Sequence, residues 1–342
     1  MNGVPLTIGL PEWIAAVMAV ALNAYVLTGG ADFGGGVWDL FAAGPRRDRQ
    51  RALIAESIAP IWEANHVWLI VVVVVLFTAF PPAFAMLGTV LHIPLTILLV
   101  GIVLRGSAFV FRSYGTRGRS RWGAAFASAS IVTPLLLGIV VGAVATGAVA
   151  EAAGRIGRAT FAEVFVAPWA AAFPVAVGLF ALALFAFLAA TYLTVEAEDD
   201  ELRDDFRSRA LVAAALVFAC AAAALGLAHT AAPRVAMGVV GALVIQAATA
   251  VSAVTAIVAL WRRRFRAARI AAAAQVSLIL WGWLFAQYPY IVPPALSIRG
   301  AAAPAVTLRL LAVGLAAGAA VLLPSLRYLL RTFKGREGKW KS

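Results

Sequence analysis

Residues 166–195 read VAPWAAAFPVAVGLFALALFAFLAATYLTV, thirty positions without one charged side chain. A helix of that length rises about 45 Å at roughly 1.5 Å per residue, more than the ~30 Å of hydrocarbon in a bilayer. Outward from it in both directions, stretches of similar character recur at 10–40, 52–80, 83–112, 122–147, 208–229, 234–260, 266–289 and 303–331. The expectation is therefore an all-α, polytopic transmembrane helix bundle of about nine spans, a single integral membrane domain over 1–342. Helices are the expected element because each closes its own backbone hydrogen bonds where no water is present to do so. Several stretches exceed the minimum length, so tilt or protrusion is expected.

Composition agrees: 63% of the 342 residues are hydrophobic and 13% charged, against roughly 25% charged in an ordinary soluble domain. The net charge of +12 lies in short segments between apolar runs and not along one helix face, so it reads as a topology signal and no nucleic-acid partner is expected. One set of loops carries Arg46, Arg47, Arg49 and Arg51; Arg112, Arg117, Arg119 and Arg121; Arg203, Arg207 and Arg209; and Arg262, Arg263, Arg264, Arg266 and Arg269. The tail adds Arg327, Arg331, Lys334, Arg336, Lys339 and Lys341, whereas the alternate loops carry Arg155, Arg158, Arg234 and Arg299. The positive-inside rule then places the N-terminus outside and the C-terminus in the cytoplasm, with a basic cytoplasmic tail at 332–342.

Residues 196–207 are expected to form an acidic cytoplasmic loop, since Glu196 to Asp205 holds seven of the sixteen acids and charge runs are usually solvated. No Lys or Arg precedes the apolar stretch from Trp13 to Leu27, so it reads as a retained first span and not as a secretory signal. Trp13, Trp38, Trp122, Trp169 and Trp261, near span ends, fit interfacial anchoring. The single cysteine, Cys220, excludes an internal disulfide and reads as a small packing residue.

Chemistry is sought among ionisable side chains inside the spans, because each costs several kcal/mol unless it faces a partner or a cavity. Asp32 lies in a glycine-rich turn, Gly29-Gly30-Ala31-Asp32-Phe33-Gly34-Gly35-Gly36, and Glu63 in Trp62-Glu63-Ala64-Asn65-His66-Val67-Trp68. Counted from residue 52, Glu63 sits about 16 Å inside its span, and Asp32 lies somewhat less deep in the first. His66 follows Glu63 by three residues and shares its helix face. Two readings stand. A carboxyl and an imidazole in such a place can relay protons, or they can glue helices by hydrogen bonds. The glycines permit close approach by another helix, a cofactor or water. Arg105 can snorkel to the interface or pair with Asp32 or Glu63, with snorkelling expected. His92, beside Pro94 and toward the middle of its span, reads as a satisfied polar core residue, with haem or metal ligation as the alternative. Tyr288-Pro289-Tyr290 and Pro293-Pro294 mark a broken helix at the outer end of the eighth span.

These residues carry a resemblance. Gly30-Ala31-Asp32-Phe33-Gly34, Ile58-Ala59-Pro60-Ile61-Trp62-Glu63-Ala64-Asn65-His66-Val67-Trp68-Leu69, the stretch Arg105 to Arg112, and Gln287-Tyr288-Pro289-Tyr290 resemble subunit II of the cytochrome bd-type quinol oxidases, including the cyanide-insensitive branch. The resemblance implies a membrane heterodimer in the bacterial cytoplasmic membrane that oxidises quinol and reduces dioxygen to water electrogenically. It implies a haem-bearing subunit I carrying haems b and d, a small single-span subunit, and contact with membrane lipid and quinone. On this chain it implies no catalytic, cofactor-binding or metal-binding residue, but a cytoplasmic proton path through Asp32, Glu63 and His66, supported by Trp62, Asn65 and Arg105. Three departures stand out: Glu63 where other members have Asp, His66 where some have Gln, and Gly29 where some carry an acid. A proton-coupled secondary transporter, with midplane acids and broken helices, is the competing class. A purely structural scaffold is the third reading.

Overall fold

The computed structural model describes residues 9–58, 62–114, 119–233 and 243–334, without the side chains of 62–64, 112–114, 119–120, 323 and 329–334. The helices are α1 (Leu10–Leu40), α2 (Arg47–Ile58), α3 (Trp62–Ala79), α4 (Pro81–Val90), α5 (His92–Tyr114), α6 (Arg119–Thr146), α7 (Ala148–Gly154), α8 (Phe161–Phe165), α9 (Ala172–Glu196), α10 (Asp200–Ala231), α11 (Leu243–Trp261), α12 (Phe265–Gln287) and α13 (Ala305–Lys334). A two-stranded antiparallel hairpin, β1 (Tyr290–Val292) and β2 (Leu296–Ser297), follows α12.

Among the described residues, eight helices are long and apolar enough to cross a bilayer, and the bent pair formed by α3 and α4 makes a ninth if counted as one span. The number matches the expectation, but two boundaries do not. The span expected at 52–80 is described as α2 and α3, and 59–61 between them lie outside the described residues. α2, with Arg47, Asp48, Arg49, Arg51 and Glu56, is polar and packs beside α1 and α9, and α3 begins at Trp62. The span expected at 83–112 starts inside α4, which follows α3 at a bend of 115°, and its long apolar helix is α5, from His92. Pro81 and Pro82 have no N–H to continue the α3 ladder, so the chain restarts there, and Ala83 and Phe84 N–H both donate to Phe80 O at 3.0 Å. The first part of the seventh expected span, 234–242, lies outside the described residues.

α9 is the hub, packed against α1, α2, α6, α10 and α12, with every residue from Ala183 to Ala190 buried. The glycines of α1 explain how closely it lies on this hub. A Cβ at Gly34 would come within 2.0 Å of the Phe185 carbonyl oxygen, and one at Gly36 within 2.1 Å of Ser130 Oγ. Trp38 Nε1 reaches past them to donate to Ala186 O at 2.7 Å.

At one end of the bundle, segment 41–51, the α9–α10 junction and the α11–α12 turn meet in an ion-pair network. Here the acidic segment departs from expectation: α10 begins at Asp200, so 200–207 is helix and not loop. Asp199 Oδ1 caps it by accepting from Leu202 N–H at 2.9 Å, and acids in the first turn complement the helix dipole. Asp205 accepts from Arg46 Nε and Nη2 at 2.8 and 2.6 Å, and Arg269 donates to Glu196 at 2.9 Å. At the opposite end Arg299 pairs with Glu12, and Ala303 N–H donates to Ala79 O at 2.8 Å. α12 stops at Gln287 and turns into the hairpin where Tyr288-Pro289-Tyr290 predicts a break. Of the basic tail, 332–334 belong to α13 and 335–342 lie outside the described residues.

Gly34→Ala is expected to lower stability by about 1–3 kcal/mol, the range for overpacking a filled core. Gly88→Ala, where an added Cβ meets nothing within 4 Å, is expected to leave it unchanged. Thermal unfolding of the two purified variants compares them, and equal midpoints would refute the close-approach account of α1 on α9.

Candidate functional site

α1 carries three buried polar side chains at seven-residue intervals, Tyr25, Asp32 and Asp39. Seven residues are close to two helical turns, so the three share a face about 10 Å apart. Asp39 is nearest the arginine-rich end and Tyr25 the deepest.

The middle member is locked. Arg105 of α5 donates to Asp32 Oδ1 from Nη2 at 2.6 Å and to Oδ2 from Nη1 at 2.7 Å. Nη2 also donates to the Asp32 carbonyl at 2.9 Å, and Nε to Ser130 Oγ of α6 at 3.0 Å. The guanidinium lies 4.8 Å from the Phe33 ring centroid and 4.9 Å from that of Phe126. Both charged side chains are almost fully enclosed, at 3% exposure for Arg105 and 0% for Asp32. The expected snorkelling of Arg105 is thus overturned. A bidentate carboxylate, a hydroxyl, a carbonyl and two ring faces replace the water it would otherwise seek. Ser130 completes the arrangement by donating onward to Phe126 O at 2.7 Å.

α3 brings the second motif alongside. Asn65 is buried, and its Nδ2 donates to Thr28 O, one turn from Asp32, at 3.4 Å. The His66 ring lies 6.5 Å from that of Tyr25 and borders an open cavity of about 410 Å³ lined also by Ile102, Val103, Gly106, Ser107, Val110 and Phe111. Trp62 and Glu63 are the first two residues of α3, and their side chains lie outside the described residues. The depth counted from residue 52 runs through 59–61, which lie outside the described residues.

His92 stands apart. It is not a core residue of mid-span but the exposed first residue of α5, with Nδ1 2.9 Å from Thr89 O and its ring edge-on to Phe161 and Phe165. Among the described residues no group of three His, Cys, Asp or Glu side chains is gathered as a metal ion would require.

The sequence reading missed Asp39, Tyr25 and Ser130. Asp39 ends a span, where a solvated acid is ordinary, yet its side chain is 3% exposed, with Arg51 Nε 3.8 Å from Oδ1 and donating to its carbonyl at 3.3 Å. The seven-residue spacing from Asp32 was the available signal. Chemically, the Asp32–Arg105 unit is neutral as a whole and joins α1, α5 and α6.

Arg105→Leu leaves Asp32 buried and uncompensated, and is expected to destabilise by about 3–5 kcal/mol. Adding Asp32→Asn should recover much of that loss. Thermal unfolding of the single and double variants tests the pairing, and a double variant no more stable than Arg105→Leu would contradict it.

A family model described as cytochrome bd terminal oxidase subunit II matches residues 10–333. The chain is 32% identical over 128 residues to the cytochrome bd-I ubiquinol oxidase subunit 2 of Escherichia coli, covering 37% of this chain and 33% of that protein. It is 28% identical over 188 residues to a putative cytochrome bd menaquinol oxidase subunit II of Bacillus subtilis, covering 55% and 54%. The matched stretches thus span about a third to about half of these relatives' own length. A solved bd oxidase structure from Geobacillus thermodenitrificans superposes with a TM-score of 0.78 at 23% identity, over 96% of this chain and 99% of that one, which shows a shared fold.

Proposed function

The chain belongs to the cytochrome bd terminal oxidase subunit II family, and from that premise we propose that it is the second subunit of a bacterial quinol oxidase reducing dioxygen to water. The observation that carries this reading is the buried, bidentate Asp32–Arg105 pair at the motif the family resemblance rests on. It sits on the same helix face as Asp39 at the arginine-rich end. That end is assigned to the cytoplasm by the positive-inside rule, in the cytoplasmic membrane of a bacterium.

The described residues do not suit haem binding. Of the three histidines, His92 engages Thr89 and two phenylalanine rings, His229 is exposed near the end of α10, and His66 faces Tyr25 and a groove. Haems b and d and the quinol-oxidising site are therefore assigned to a partner, subunit I. This chain supports that partner and supplies part of a proton path from the cytoplasm, which makes oxygen reduction electrogenic.

Within that path the residues divide the work. Asp39 lies at the cytoplasmic mouth, beside Arg51. Asp32, clamped by Arg105, holds α1, α5 and α6 in register and fixes the field through which a proton moves. Asn65 ties α3 to α1 through Thr28, so the first turns of α3 stand beside the polar face of α1. Glu63 and His66 on those turns are the groups assigned to proton transfer.

In the intact complex, Glu63→Gln should retain the haem absorbance of the wild type but slow quinol-driven oxygen uptake by at least about tenfold, in line with loss of a proton-transferring group. Asp39→Asn should slow it less, since Asp39 stands at the entrance beside Arg51 and not at the transferring groups. Unchanged turnover in Glu63→Gln with haem in place removes Glu63 from the path. Absence of haem from the purified complex would remove the oxidase reading altogether.

A further inference from the structure

The arginines of the cytoplasmic end fall into two groups. Arg46, Arg49, Arg203, Arg263 and Arg269 each pair with a carboxylate, and Arg207 donates to the carbonyls of Leu260 and Trp261 at 2.8 and 3.4 Å. Arg262 and Arg264, in the turn between α11 and α12, and Arg266, at the start of α12, are exposed and have no such partner among the described residues, as is also true of Arg47, Arg121 and Arg327; the three differ in lying together beside an apolar helix face.

The turn that displays them is built firmly. Arg263 adopts a left-handed conformation with φ 54° and donates to Asp204 at 2.8 Å. Arg264 N–H donates to Ala259 O at 2.8 Å. Together with the bonds from Arg207, these fasten the turn to α10 and leave three guanidinium groups projecting from a fixed backbone.

An apolar lane leads to them. Val251, Val254, Val258 and Trp261 follow one another at intervals of three, four and three residues, so they share one face of α11. All four are exposed, Trp261 to 64%, and Ile270 of α12 is exposed beside the turn. From Val251 to Trp261 the helix rises about 15 Å, half the hydrocarbon thickness of a bilayer. Hydrocarbon, an interfacial indole and unneutralised guanidinium groups therefore succeed one another in the order of a phospholipid's own parts.

We propose that this surface binds an anionic phospholipid of the cytoplasmic leaflet. Arg262, Arg264 and Arg266 hold its phosphate and an acyl chain lies along Val251, Val254, Val258 and Trp261. Guanidinium suits the task because it meets phosphate oxygens with paired N–H donors. The chemistry selects a phosphate attached to hydrocarbon: a free anion would have no use for the apolar lane, and a neutral lipid none for the three charges. Positive-inside topology alone needs charge on that side of the membrane but not three unpaired arginines gathered at the end of an exposed apolar lane.

The test uses the intact complex in nanodiscs of phosphatidylcholine alone or of phosphatidylcholine with phosphatidylglycerol. Thermal unfolding and native mass spectrometry of retained lipid are the readouts. Wild type should be stabilised by phosphatidylglycerol and retain it, with affinity falling about fivefold for each arginine replaced. The triple variant Arg262→Gln, Arg264→Gln, Arg266→Gln should lose both effects, while Arg203→Gln, which removes one paired charge, should keep them. If the triple variant fails to insert, Arg264→Gln against Arg203→Gln makes the same comparison at equal charge. Undiminished phosphatidylglycerol retention in the arginine-turn variants would overturn the proposal. So would equal stabilisation by inorganic phosphate in phosphatidylcholine, which would mark a free-anion site, or burial of the three arginines against subunit I by chemical footprinting.

Discussion

A carboxylate and a guanidinium enclosed in a bundle that sits in lipid can persist only as a pair, and the rest of the architecture is arranged to keep Asp32 and Arg105 together. Beyond the pair itself, Arg105 donates to Ser130 and to the Asp32 carbonyl of α1, and two phenylalanine rings flank the cation. The glycines on either side of Asp32 matter for the same reason. They bring α1 against α9 and α6 closely enough to exclude lipid and water from the pair. Ion pairing, close packing and burial are thus one requirement met from three helices.

The same logic, applied in water, governs the arginine-rich end. There the acids of the α9–α10 junction gather arginines from segment 41–51 and from the α11–α12 turn. Individually such exposed pairs contribute little, but jointly they fix which loops are neighbours, and the bundle's helices follow. Gln50 extends the network inward by donating to Asp205 at 2.8 Å and accepting from Arg209 at 2.6 Å.

Most of the fold was legible because a long run without charge has few alternatives to spanning a membrane. The exceptions have physical causes. α2 carries its charges from Arg47 to Glu56 directly ahead of an apolar run, so a hydropathy reading places its second half inside the span. The elbow at Pro81 was also masked, because residues on both sides of it are equally apolar and composition carries no direction. At the site, the candidate residues were visible as polar exceptions, but the destination of Arg105 was not. Its partner lies 73 residues away, and no local pattern encodes such a distance. Asp39 escaped notice because burial at a span end depends on what packs over it, here α2 with Arg51.

The far end of the bundle has a bearing on biosynthesis. Glu12, in the first turn of the first helix, is tied to Arg299, and the backbone just before the last helix is tied to Ala79. α13 packs on α1 and α3 and on little else. The end of the bundle at Glu12 is therefore sealed by a segment synthesised 287 residues later. The early hairpins must wait in the bilayer with one flank uncovered until that segment and α13 have been made.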